Sequence, residues 1–271
     1  MMITIGCDPE VFLTDGKKVR SAIDKIGGTK VCPKDYGDGI ALQEDNVAVE
    51  WTIPPVTNVE DFIRYNTLAL KKIEEQASKF NLSVKIVAST TLPREELEDE
   101  RAKVFGCEPD FDAWDRCQNP RPHSPNRLLR SAGGHVHIGG IDTVPEKESA
   151  VRIMDYLCAV PLLFVDKDVR RRGLYGKAGA FRFKPYGVEY RTLSNHWVRD
   201  QELMRFVFNS AKTAAELCKD PIFCKEVDDL RAPILEAINN NNIDAAKYLM
   251  VKNNNLRVKT SVIEEEYGKL A

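Results

Sequence analysis

Apolar positions alternate in the first half of residues 2–13, Met-Ile-Thr-Ile-Gly-Cys-Asp-Pro-Glu-Val-Phe-Leu, and the stretch reads as a first β-strand. Ile3 and Ile5 share one face, and further along Asp8 and Glu10 share a face. Pro9 between them has no N–H for a ladder, so an edge strand or a bulge is expected. Asp15-Gly16 is a hairpin turn signal with a return strand over 17–22. Residues 24–39, rich in glycine and lysine, read as a surface loop. Val47, Val49 and Trp51 predict another strand over 41–53, closed by Pro54-Pro55. The clearest 3.6-residue stripe is Val59, Phe62, Ile63, Leu70, Ile73, Ala77 and Phe80, a helix over 58–80 capped by Thr57 or Asn58.

Further along, 82–88 reads as a strand and 93–103 as a short charged helix. Residues 107–130 read as a long ordered loop that leads into a strand over 131–140. A helix is expected over 146–166, kinked or ended by Pro161. Beyond Asn195 the pattern is helical: Leu203, Met204, Val207, Ala211, Ala214, Ala215 and Cys218 form one stripe. Short helices are expected near 221–230, 232–239, 242–251 and 259–269.

Composition narrows the class. The chain has 271 residues, a net charge of −2, 43% hydrophobic and 30% charged residues, which suits a globular protein with a large core. The slight acidity gives no electrostatic basis for non-specific nucleic-acid binding. No apolar run reaches the length of a membrane span and no signal peptide is visible, so the cytoplasm is the expected location. Seven cysteines without a C-x-x-C argue against a disulfide framework and a structural zinc site.

The candidate chemistry lies in same-face polar pairs. Asp8 and Glu10 sit in an otherwise apolar strand, where two carboxylates are costly unless a cation meets them. Glu44 and Glu50 are six residues apart, on one face of a regular strand, unless a turn at Asp45-Asn46 alters the count. His135 and His137 project together from Gly133-Gly-His-Val-His-Ile-Gly139, and Glu189 pairs in the same way with Arg191. From Arg170 to Arg191 there are seven basic residues and one acid, interleaved with glycines and aromatics, which suits a polyphosphate. Carboxylates with imidazole suit hard divalent cations, magnesium or manganese, and the whole suits phosphoryl transfer.

These motifs in this order resemble the glutamine synthetase superfamily, and most of all its phage-type carboxylate–amine ligases (amidoligases). The stretches that carry the resemblance are 6–10, 42–50, 133–139, 171–182 and 184–195. The resemblance implies an α+β fold: a curved antiparallel sheet of the glutamine synthetase-like catalytic type over 1–200, backed by helices. It also implies a helical C-terminal part, 201–271, packed on the same domain. It implies an ATP-dependent ligase that forms an amide through an acyl phosphate from small-molecule or peptide carboxylate and amine substrates. A guanidino-kinase-like phosphotransferase and an inactive nucleotide-binding member are the alternatives. Asp8, Glu10, Glu44, Glu50, His135 and Glu189 would hold Mg2+ or Mn2+, with Asp45 an alternative to Glu44. His137, Arg172, Lys177, Arg182, Lys184 and Arg191 would contact the ATP phosphates, Arg182 and Arg191 also acting in catalysis. A homo-oligomer, and the host cytoplasm for a phage-encoded chain, are further implications.

Overall fold

The computed structural model describes residues 2–103, 110–120, 126–252 and 263. Apart from Ile263, the expected helix over 259–269 lies outside the described residues, as do 107–109 and 121–125 of the expected 107–130 loop; the described part of that loop contains short strands over Phe111–Asp112, Cys117–Gln118 and Leu129–Ser131. In chain order the strands are β1 (Thr4–Thr14), β2 (Val19–Arg20), β3 (Lys34–Asp35), β4 (Ala41–Asp45), β5 (Ala48–Thr52), β6 (Ser83–Lys85) and β7 (Ser89–Thr91). They continue with β8 (Phe111–Asp112), β9 (Cys117–Gln118), β10 (Leu129–Ser131), β11 (Gly134–Gly139), β12 (Ala180–Lys184) and β13 (Gly187–Tyr190). The main sheet runs β3-β4-β5-β1-β11-β13-β12-β8-β9, with β2 and β6 pairing the far end of β1, and a separate β10-β7 pair lies beside it. Its strand pairings are antiparallel. The architecture is a large antiparallel sheet backed by helices, with further helices at the C-terminal end.

The helices cover one face. α1 (Val59–Ser78) starts on Asn58, whose side chain accepts from the Asp61 N–H, and buries Phe62, Ile63, Ala69, Ile73 and Ala77 as the stripe predicts. α2 (Glu100–Lys103) is a single turn. α3 (Val144–Met154) opens with a capping box between Thr143 and Glu146. α5 (Gln201–Leu217) packs on α1 and α3, and α6 (Pro221–Asp229), α7 (Arg231–Asn240) and α8 (Ile243–Lys252) follow it. The sheet residues turned to this side, among them Ile5, Val49, Trp51, Val136, Ile138 and Tyr190, share one core cluster with helix residues such as Phe62, Met154 and Phe206.

Other expectations change as well: the expected 93–103 helix is a 3-10 turn over Arg94–Leu97 followed by α2. β1 is an interior strand between β5 and β11, not an edge. Pro9 is tolerated because N–H groups alternate sides along a strand. The Glu10 N–H faces β11, so Pro9 lacks only the donor facing β5, where the ladder begins one residue later at Glu10. The expected 146–166 helix breaks after Met154 into a π-helical turn over Asp155–Ala159, and Pro161 falls in the first turn of the short α4 (Val160–Leu162).

Candidate active site

The uncovered face is assembled by strand register. A two-residue connection, Asn46-Val47, pairs Asp45 with Ala48 and Gln43 with Glu50. Cross-strand partners share a face, so Gln43, Asp45 and Glu50 point one way and Glu44 the other. Glu50 faces Glu10 across β5 and β1, Asp8 faces His135 across β1 and β11, and Glu189 on β13 faces both His137 and Arg182. One side of six adjacent strands thus carries Asp45, Glu50, Glu10, Asp8, His135, His137, Glu189, Arg182 and Lys184.

The acids fall into two groups. Single ligand atoms of Asp8, His137 and Glu189 lie within 4.8 Å of one another, and so do those of Glu10, Asp45 and Glu50. In the first group His137 Nε2 is 3.1 Å from Asp8 Oδ1, and His135 Nδ1 lies 3.5 Å from Asp8 and 3.8 Å from Glu189. The structure therefore brings both imidazoles to Asp8, His137 more closely, where the expectation gave the metal to His135 and phosphate to His137. His137 Nδ1 makes a short contact with the Tyr186 hydroxyl. Gly133 makes room for the His135 ring: a Cβ there would stand 2.3 Å from its Nε2. Gly133 also donates to Glu10 Oε2 at 2.9 Å.

Cations border the first group. Lys184 Nζ is 2.7 Å and Arg182 3.7 Å from Glu189, and Arg191 makes a short contact with the same carboxylate. Arg191 also reaches Asp110 at 3.6 Å, a site neighbour the motifs did not single out. At the opposite flank Lys30 Nζ lies 2.7 Å from Asp45.

The electrostatics differ between the groups. Burial works against the Asp8 charge, yet His137 and His135 together hold its carboxyl well below the usual range. Glu189, also opposed by burial and by Asp8, is held down to about 2 by Arg191, His135 and Lys184. Glu10 is pushed up to about 7 by burial and by Asp45, and Glu50 is pushed well up by burial and by Asp8, Asp45 and Glu10. Burial holds the His135 imidazole low, with Arg191 adding to it; burial also opposes the His137 charge, but Asp8 raises it.

A divalent cation fits this donor set. The buried atoms Asp8 Oδ1, His137 Nε2 and Glu189 Oε2 lack a hydrogen bond of acceptable geometry, although ionic partners lie near. Three adjacent carboxylates, Glu10, Asp45 and Glu50, with two of them forced toward the neutral form, are the oxygen-rich environment that Mg2+ or Mn2+ takes.

Not every expected residue is gathered here. The hairpin turns Glu44 away to the opposite face, where it lies 3.6 Å from Arg101 and accepts from the Gly27 N–H. Arg172 is buried, donates to the Gly176 carbonyl, and its charge faces Asp166, Tyr190 and Asp155, away from the acid row. Lys177 is exposed, with no ion pair among the described residues. A cavity of about 360 Å³ adjoins the His137 end of the row, lined by Thr4, Gly6, Thr52, Ile53, His137 and Tyr186.

The second half of this arrangement, from the His-x-His strand through the basic hairpin to Glu-x-Arg, falls within a stretch that a family model matches. Residues 129–230 match the phage phiEco32-like COOH.NH2 ligase-type 2 family. The match bears out the resemblance drawn from the motifs, and this stretch of the chain carries the signature of a carboxylate–amine ligase. Among solved structures, one described as apo GmaS without ligand aligns at 12% identity and a TM-score of 0.48, covering 96% of this chain and 70% of the other. One described as a novel glutamine synthase homolog aligns at 11% and 0.39, covering 99% and 71%. Among curated proteins no match is found. No helix among the described residues is long and apolar enough to cross a membrane.

Proposed function

We propose that the protein is an ATP-dependent carboxylate–amine ligase that forms an amide through an acyl phosphate. The observation that carries this reading is the row of five carboxylates and two imidazoles on one sheet face, bordered by Arg182, Lys184 and Arg191. The family match over 129–230 supports the amide-forming chemistry.

Asp8, His137 and Glu189, with His135 beside them, would hold one divalent cation, and Glu10, Asp45 and Glu50 a second. Bound Mg2+ or Mn2+ supplies charge neutralisation for the phosphates and keeps the clustered acids ionised. Arg182 and Lys184, positioned by the β12–β13 ladder, and Arg191, just past β13, would neutralise the transferring phosphoryl oxygens. Tyr186 fixes the orientation of the His137 ring. The cavity beside His137 would take part of the bound substrate. In the reaction a substrate carboxylate oxygen attacks the γ-phosphorus and ADP leaves. The amine then attacks the acyl carbon, phosphate leaves, and the amine proton passes to solvent.

Product analysis tests this. With ATP, Mg2+ and a panel of carboxylates and amines, ADP and phosphate should form in equal amounts only when a productive acid and amine are both present. A stable phosphorylated product without free phosphate would instead mean a phosphotransferase.

A further inference from the structure

A second cavity, also of about 360 Å³, shares no lining residue with the acid row. Three segments wall it: residues 86–88 between β6 and β7, residues 165–168 after α4, and His196 and Arg199 of the 3-10 turn Asn195–Arg199. The short stretch Ala132-Gly133 links these walls to the row. The Ala132 N–H donates to the Ala88 carbonyl at 2.9 Å, Gly133 bridges to Ser194, and the Gly133 N–H donates to Glu10.

Opposite charges line this cavity without meeting. Asp166 is buried, and its carboxylate accepts from Ser194 Oγ at 2.6 Å and from the Asp168 N–H at 3.2 Å. It forms no ion pair among the described residues, although its charge is felt at the buried Arg171 and Arg172. Arg199 is exposed and makes no hydrogen bond or ion pair among the described residues. His196 Nε2 is buried without a hydrogen-bond partner, a state that costs free energy until a ligand or water meets it. Lys167, exposed on the same wall, adds a second positive charge, whereas Asp168 is already satisfied by Ser89 and Arg170. The rest of the wall, residues 86–88 and Val165, is apolar.

We infer that this cavity is an accessory binding site, separate from the acid row, for a zwitterionic amino acid with an aliphatic side chain. The ammonium of the ligand meets Asp166, its carboxylate meets Arg199 and the buried nitrogen of His196, and its side chain lies on the apolar wall. An anion alone would leave Asp166 without a cation, and a cation alone would leave Arg199 without an acceptor. A molecule that carries both charges on one short frame serves the two together. The inference goes beyond the ligase reading and does not depend on it, since no residue of the acid row takes part.

Isothermal titration calorimetry on the full chain, without metal or ATP, tests this with three matched probes. L-Leucine should bind with a Kd of about 1 mM or tighter. Isocaproate, the same skeleton without the ammonium, and isoamylamine, the same without the carboxylate, should each bind at least about tenfold more weakly. Arg199→Met, a change at an exposed position, should weaken L-leucine by about tenfold, the loss of one charge-assisted contact. Asp166→Asn should weaken it by a similar factor; the three probes on wild type carry the test should that buried substitution disturb the fold. Lys184→Met, at the border of the acid row, should bind L-leucine as wild type does to within about twofold. The inference is overturned if L-leucine fails to bind up to about 10 mM, if either single-charge probe binds as tightly as L-leucine, or if Arg199→Met binds it as wild type does. Loss of binding in Lys184→Met would place the amino acid at the acid row and overturn the inference equally.

Discussion

Glu10 and Glu50 face each other directly across β1 and β5, two acids in the position where like charges repel most strongly in an antiparallel sheet. Burial and Asp45 push Glu10 up to about 7, and burial together with Asp8, Asp45 and Glu10 pushes Glu50 well above its ordinary value. In the metal-free protein the pair therefore holds protons that the unfolded chain gives up near pH 4.5.

A pH dependence follows. Where the folded state binds more protons than the unfolded one, stability falls as pH rises. Metal-free protein should lose stability from about pH 5 to 7, on the order of 2 kcal/mol from Glu10 alone. Asp155 and His137, also raised, add to the fall, and His135, lowered, opposes it. Urea unfolding at pH 5, 6 and 7 measures the slope. Glu10→Gln should flatten it, and an unchanged slope in that variant would remove Glu10 as its source.

The β4–β5 turn predicts a difference between neighbours. Asp45→Asn should weaken Mn2+ binding by about tenfold or more, as loss of one of three carboxylate ligands does. Glu44→Gln, on the opposite face, should change it by less than about twofold. Equal losses would mean that the register of this hairpin is not as described.

Asn46 holds that turn. It sits at φ 56°, accepts from Arg130 Nε, and donates to the carbonyls of Arg101 and Ala102. Asn46→Ala should cost about 2 kcal/mol or more, through the left-handed backbone and the lost amide contacts together. Asn46→Gly, which accepts that backbone freely, should cost about 1 kcal/mol less. Thermal or urea unfolding orders the two, and a glycine variant as damaged as the alanine variant would show that the amide contacts alone matter.

Behind the acid face, Asp155 accepts from Tyr190 Oη at 2.7 Å, Trp114 Nε1 at 2.7 Å, the Gly179 N–H at 2.6 Å and Thr192 Oγ1 at 3.1 Å. Tyr190 lies between Glu189 and Arg191, so this carboxylate ties the π-helical turn to the end of β13, which carries Glu189 and leads directly into Arg191. Asp155→Ala should destabilise the protein by about 3 kcal/mol or more, because four buried donors lose their acceptor. A cost below about 1 kcal/mol would mean that water replaces the carboxylate without loss.

Much of this was legible in the residues alone, for physical reasons. The stripe and cap of α1 are local, and β1 and the His-x-His strand follow from period-two alternation between apolar neighbours. What local pattern could not decide is parity across a turn. Whether Glu44 or Asp45 faces Glu50 depends on Asn46-Val47 being a two-residue connection. The basic run also divides in a way charge counting cannot see. Arg171 and Arg172 are buried on backbone carbonyls, whereas Arg182 and Lys184 reach Glu189 from a strand. Lys30 is brought to Asp45 by packing between segments, which leaves no signature in sequence.

The central claim is that the acid row holds two divalent cations in two separable groups. A Mn2+ titration by electron paramagnetic resonance tests it directly. The account predicts two ions per wild-type chain, one in Glu50→Gln with the Asp8 group intact, and one in Asp8→Asn with the Glu10 group intact. A wild-type chain that binds no Mn2+, or variants that bind as wild type does, would contradict it.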